Sequence, residues 1–131
     1  TKALTDKPFG VNLITMHPQL FDLIEVCSRH GVSHVVLAGG IPPKGSVEAI
    51  KAFGAKVLVF APTLALAKKL LRSGGLLALH HALWHGLVAD ERNDDDEPLI
   101  IREALAAVST NEAFTPALLP IGDGLLVAVK R

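Results

Sequence analysis

Apolar residues along the chain come in short runs of five or six, separated by stretches with helical spacing. The run Phe9–Ile14 reads as a strand, and its continuous apolar character suits a strand covered on both faces. Pro18 fits the first turn of a helix carried by Phe21, Leu23, Ile24, Val26 and Cys27, and Gly31 ends it. His34–Ala38 is a second strand, and Gly39-Gly40-Ile41-Pro42-Pro43 is a loop. Ser46 is placed to cap a short helix over Val47–Phe53, with Gly54 after it. Lys56–Phe60 is a third strand. Pro62-Thr63 opens a helix over Leu64–Leu71, with Lys68, Lys69 and Arg72 suited to its C-terminal dipole.

The rhythm changes after Gly74-Gly75. Leu76–His80 reads as a fourth strand, expected to be buried on both faces, and His81–Asn93 as a long loop holding Trp84, the chain's single tryptophan. Asp95 or Asp96 caps a helix with Glu97 and Pro98 in its first turn, continuing through Ile100, Ile101, Ala104, Leu105 and Val108. The run Asp94–Glu97 is thereby a helix start. Thr115–Pro120 and Leu125–Lys130 are strands joined by Gly122-Asp123-Gly124, a hairpin signal.

The expected fold is therefore α/β in the order βαβαβαβαββ. It is a single domain over residues 1–131, with a mainly parallel sheet of about six strands closing in an antiparallel hairpin. Strand order stays open between a half-barrel arrangement, 1-2-3-4-6-5, and a Rossmann-like one with a switch point. In the barrel-like order all helices cover one face. The other, carrying Val11, Leu13, Val36, Leu58 and Leu77 or their neighbours, would be bare and form a homodimer.

Thirteen basic and thirteen acidic residues cancel. No basic excess points to nucleic acid. No apolar run reaches membrane-spanning length, and no segment reads as a signal peptide, so membranes are not expected as partners. The lone cysteine, Cys27, makes no internal disulfide and reads as a buried apolar filler. These features give the expectation of a soluble, cytoplasmic protein.

Two sets of strings resemble known families. Thr5-Asp6-Lys7-Pro8-Phe9-Gly10-Val11-Asn12-Leu13, Lys56–Val59 and Ala65–Lys68 make Thr5–Arg72 similar to nitronate monooxygenases, flavin-dependent TIM-barrel enzymes. The resemblance implies consecutive βα units of the early barrel. It places Asn12 near the flavin, although alone Asn12 reads as a strand-end asparagine bonding loop backbone. The family's flavin-phosphate loops belong to late strands that this stretch does not reach, and its catalytic histidine follows the next strand.

Leu70–Leu76, Ala82–Gly86, Val88–Asp90 and Ala117–Leu125 make Leu70–Arg131 resemble the C-terminal part of class I S-adenosylmethionine-dependent O-methyltransferases of the catechol and caffeoyl-CoA type. Their cofactor-binding glycines belong to a first strand that here is monooxygenase-like. Gly39-Gly40 follows a strand as phosphate-cradling glycines do, but Pro42-Pro43 lack N–H donors. Where that family carries a cation-binding Asp-Asn pair, this chain has His80-His81, with His85 four residues on. Three imidazoles near one strand end are the candidate ligands for Zn²⁺ or Ni²⁺. Strand alternation, however, points His80 and His81 to opposite faces.

Together the two resemblances give an expectation of an engineered fold chimera, joined near Ser73–Gly75, from a TIM-barrel-derived fragment (1–72) and a methyltransferase-derived fragment (73–131). It would have no enzymatic activity, catalytic residue or bound cofactor. The alternative is a residual S-adenosylmethionine- or flavin-binding domain.

Overall fold

A computed structural model describes residues 3–131. The chain divides into two compact units, residues 1–62 and 63–131.

In the first unit, β1 (Gly10–Ile14), β2 (His34–Ala38) and β3 (Lys56–Val59) form a parallel sheet in the order β1-β2-β3. The register aligns Val11, Val35 and Val57 in one row and Leu13, Leu37 and Val59 in the next. Helices α1 (Leu20–Arg29) and α2 (Ser46–Ala52) both pack on this face, with Leu20, Ile24, Cys27 and Ile50 meeting Leu13, Val35 and Leu37 in one core. Fully burying a side chain such as Leu37 or Ile50 contributes about 1.5–3 kcal/mol each. Cys27 is the apolar filler expected, and burial pushes its thiol pKa up.

Local chemistry sets the boundaries. Past the end of α1, Gly31 is left-handed, its N–H bonds Ser28 O, and the Val32 N–H reaches Cys27 O. This paired pattern satisfies the last carbonyls and inserts Val32 into the core. At α2 the cap is Gly45, not Ser46. Ser46 is the first helical residue, buried, and its hydroxyl donates to Pro43 O at 2.7 Å.

The opposite face carries Asn12, Val36 and Leu58 in one row, with Ile14 and Phe60 exposed nearby. Val36 and Leu58 thus stand where the sequence placed them. Val11 and Leu13 do not: strand alternation turns them to the helix-covered side.

In the second unit, Thr63 caps α3 (Leu64–Leu70) by accepting from the Leu66 N–H. Lys130 donates from Nζ to the carbonyls of Lys68 and Leu71, closing that helix's C-terminus with a cation. Strand β4 (Leu76–His80) pairs antiparallel with β6 (Leu125–Lys130), and β5 (Phe114–Leu119) pairs antiparallel with the other edge of β6. Phe114, Leu126, Ala128 and Ala82 form the core with Val108 of α4 (Asp96–Ser109), and Leu77 and Leu79 pack against it.

The expected six-stranded, mainly parallel sheet is therefore replaced by two three-stranded sheets, β1-β2-β3 and β4-β6-β5. An apolar run identifies a strand but not its partner or direction. β4 finds its ladder in β6, whose Leu126 and Ala128 match Leu79 and Leu77 in register. Nor is β4 buried on both faces, because Leu76, Ala78 and His80 alternate to the exposed side. Leu77 joins the second core instead of a bare face. No helix among the described residues is long and apolar enough to cross a membrane.

Candidate functional site

The most constrained part of the second unit is the exit from β4. His81, Trp84 and His85 all have left-handed backbones, with φ of 53°, 45° and 56°. For residues with side chains this is uncommon and costly, and it persists only where surrounding structure enforces it.

The enforcement comes from the β5–β6 turn. Asp123 Oδ1 accepts from the His85 N–H at 2.6 Å, and Asp123 Oδ2 lies 3.1 Å from His81 Nδ1. Backbone bonds run in parallel, from Ala82 N to Gly124 O and from Leu83 N to Asp123 O, each 3.0 Å. Gly124 is buried against Leu83, so close that a Cβ there would lie 2.8 Å from Leu83 N. Farther along, Arg102 of α4 donates to the carbonyls of Asp90 and Asn93, bracing the loop's other end.

This geometry lines up four rings. His80 and His81 meet edge to face at 4.7 Å, as do His81 and Trp84 at 6.0 Å, and Trp84 and His85 lie tilted at 6.0 Å. The expectation that His80 and His81 diverge fails because His81 leaves strand geometry, which swings its ring towards that of its neighbour. The rings follow one another in a row, none of them stacked face to face. Among the described residues no group of three or more His, Cys, Asp or Glu side chains is arranged to hold a metal ion. The site also suits a hard cation such as Mg²⁺ poorly, since such an ion takes oxygen ligands and imidazole and indole rings make up this row. Asn12 lies elsewhere, exposed in the middle of β1 and not at its end.

The His85 N–H holds the Asp123 carboxyl below its ordinary value of 3.8; burial opposes this, and the His81 ring adds to it. The contribution of such a depressed carboxyl is present above its ordinary pKa. It is lost as pH falls through the folded-state value. Trp84 emission is therefore expected to change in acid with a midpoint below 3.8, and Asp123→Asn is expected to remove the transition. A midpoint above 3.8, or an unchanged profile in Asp123→Asn, would contradict the clamp.

Asp123 and Arg102 were not singled out from sequence. Flanked by glycines, Asp123 reads only as a turn residue. Its partners lie 42 and 38 residues earlier.

Comparison with known proteins bears on the same residues. The family profile described as O-methyltransferase matches residues 64–131, the second unit almost to the residue. A protein described as an O-methyltransferase in Mycobacterium tuberculosis (strain H37Rv) is 44% identical over 62 residues, covering 47% of this chain and 28% of that protein. One from Mycobacterium leprae (strain TN) is 45% identical over 63 residues, covering 48% and 28%. The chain thus spans little more than a quarter of the length of these relatives. A solved structure described as a caffeoyl-CoA O-methyltransferase from Staphylococcus aureus covers 93% of this chain and 76% of its own, with a TM-score of 0.51 and 14% identity, a likeness of fold. A FabK mutant (M276A) from Thermotoga maritima is 35% identical and covers 52% of this chain and 23% of its own, at a TM-score of 0.48.

The methyltransferase likeness begins at residue 64 and so takes in α3, ahead of the start expected at Leu70. These matches name no nitronate monooxygenase. They also overturn the expectation of an engineered chimera without enzymatic character, because the second unit matches one enzyme family along its whole length. With its β4 exit, its closing hairpin and the clamp between them all inside the match, the chain belongs to the O-methyltransferase family.

Proposed function

We propose that residues 63–131 form the acceptor-binding part of an O-methyltransferase, receiving a hydroxylated aromatic molecule beside the Trp84–His85 loop. The observation that carries this reading is the strained loop at the end of β4, pinned by Asp123 inside the family-matched region. Backbone strain of this kind gathers where a protein must present side chains in fixed positions.

The chemistry follows from the pair. Asp123 is held ionised and accepts from His81 Nδ1–H, which fixes the ring's orientation and turns Nε2 away from the carboxylate. The hydroxyl of an aromatic ring stacked against Trp84 would lie beside the imidazole that Asp123 orients. Ring stacking on tryptophan holds the aromatic plane.

The methyl donor implied by the family, S-adenosylmethionine, does not fit the residues present. β4 is followed by the pinned loop, not by a glycine-rich turn into a helix. Gly39-Gly40 in the first unit is followed by Pro42-Pro43 and a helix of seven residues. The nitronate monooxygenase resemblance of Thr5–Arg72 rests on sequence strings alone, and Asn12 stands exposed in mid-strand.

Trp84, the only tryptophan, supplies the test. Titration with catechol is expected to quench its emission along a saturating curve, and Asp123→Ala is expected to weaken that response. Linear, non-saturating quenching in the unaltered chain would refute the reading.

A further inference from the structure

A second feature lies in the first unit, away from the methyltransferase match. Thr15 follows β1 directly and continues its ladder, its N–H donating to Ala38 O at 2.8 Å. The residue is only 4% exposed, and its hydroxyl oxygen, sealed from solvent, has no hydrogen-bond partner. Leaving a buried hydroxyl unpaired costs about 1–3 kcal/mol, so such a group calls for an explanation.

What faces the hydroxyl is the Gly39-Gly40 step leaving β2. A Cβ built on Gly40 would lie 3.6 Å from Thr15 Oγ1, and one on Gly39 3.8 Å away. Both glycines have positive φ, 92° and 141°. The hydroxyl is therefore faced on that side by a backbone step that carries no side chains. The position is also the carboxyl end of two adjacent parallel strands, where α/β sheets bind ligands. The following loops bring His17 and Lys44, both exposed, to the same end of the sheet.

We propose that Thr15 with Gly39-Gly40 forms a binding site for a single oxyanion. A phosphoryl or carboxylate oxygen would accept from the Thr15 hydroxyl and from the glycine N–H groups. Pro42 and Pro43, which lack N–H donors, limit the cradle to those glycines, so it suits one anionic group and not a whole nucleotide.

The test uses the full chain, with backbone amide NMR at constant ionic strength. Sodium phosphate and sodium acetate are titrated separately, with sodium chloride as control. Saturating shifts at Gly39 and Gly40 with phosphate alone identify a phosphoryl site, with acetate alone a carboxylate site, and with both a general oxyanion site. Thr15→Val keeps the shape and removes the donor. It is expected to stay folded, since it deletes an unpaired hydroxyl, and to weaken binding by about tenfold or more. Thr15→Ser is expected to retain binding. Saturation with neither anion, equal shifts with chloride, or undiminished binding in Thr15→Val would each overturn the proposal.

Discussion

Phe114→Ala is expected to destabilise the second unit by about 3–5 kcal/mol, the range for deleting a large aromatic from a packed core. Phe114 is 1% exposed and is the largest fully buried side chain in the structure. It opens β5, its N–H bonds Asn111 O, and its ring shares the core with Val108, Leu126 and Ala128. The second unit has few other buried side chains of that size, so the cavity has little to collapse into. Set against a total stability of about 5–15 kcal/mol for a small domain, this is a large fraction. Leu118→Ala provides the contrast. It lies on the same strand but is 48% exposed, and its loss is expected to cost under about 1 kcal/mol. Urea unfolding followed by circular dichroism measures both. Similar shifts in the two variants would show that the core has been misplaced.

Gly124→Ala is expected to be nearly as damaging, for a different reason. At φ 84° alanine would be strained by about 1–2 kcal/mol. Its Cβ would also lie 2.6 Å from Leu83 Cγ and 2.8 Å from the Leu83 backbone nitrogen. Side chains can rotate away, but the nitrogen is held by its bond to Asp123 O. Relief therefore requires the β4-exit loop to lift off the hairpin, adding the 1–3 kcal/mol typical of overpacking, for a total of about 2–5 kcal/mol. Trp84 rides on that loop, so its emission is expected to shift to longer wavelength along with the drop in melting temperature. Gly122→Ala carries only the backbone strain, since nothing lies within 4 Å of its Cβ position. Equal effects at the two glycines would contradict the close contact.

Periodicity and breakers located the elements well, and for clear reasons. His34–Ala38, Leu76–His80 and Leu125–Lys130 are each an apolar run with a breaker nearby, and all three strands occupy those residues. What periodicity does not carry is pairing. The run Leu76–His80 has the same composition whether its neighbour is parallel or antiparallel. Its partner became evident only from the register that sets Leu77 against Ala128 and Leu79 against Leu126. At α2, Ser46 was a reasonable cap by residue type, but the left-handed turn at Gly45 moved the helix start and sent the hydroxyl to Pro43.

The candidate site was legible only in part. His80, His81 and His85 attracted notice as potential metal ligands, and Trp84 as a lone aromatic. The arrangement of these side chains depends on left-handed backbone at His81, Trp84 and His85, which no local pattern announces. Asp123 decides that arrangement from a turn some forty residues away, where its neighbours Gly122 and Gly124 make any residue between them look like punctuation.

The central functional claim, that the Asp123-pinned loop receives a hydroxylated aromatic, is tested most directly by intermolecular nuclear Overhauser contacts between catechol and the full chain. Contacts from the catechol ring protons to the Trp84 indole and the His85 side chain are expected. Contacts confined to residues outside the β4-exit loop, or none under conditions where catechol binds, would contradict it.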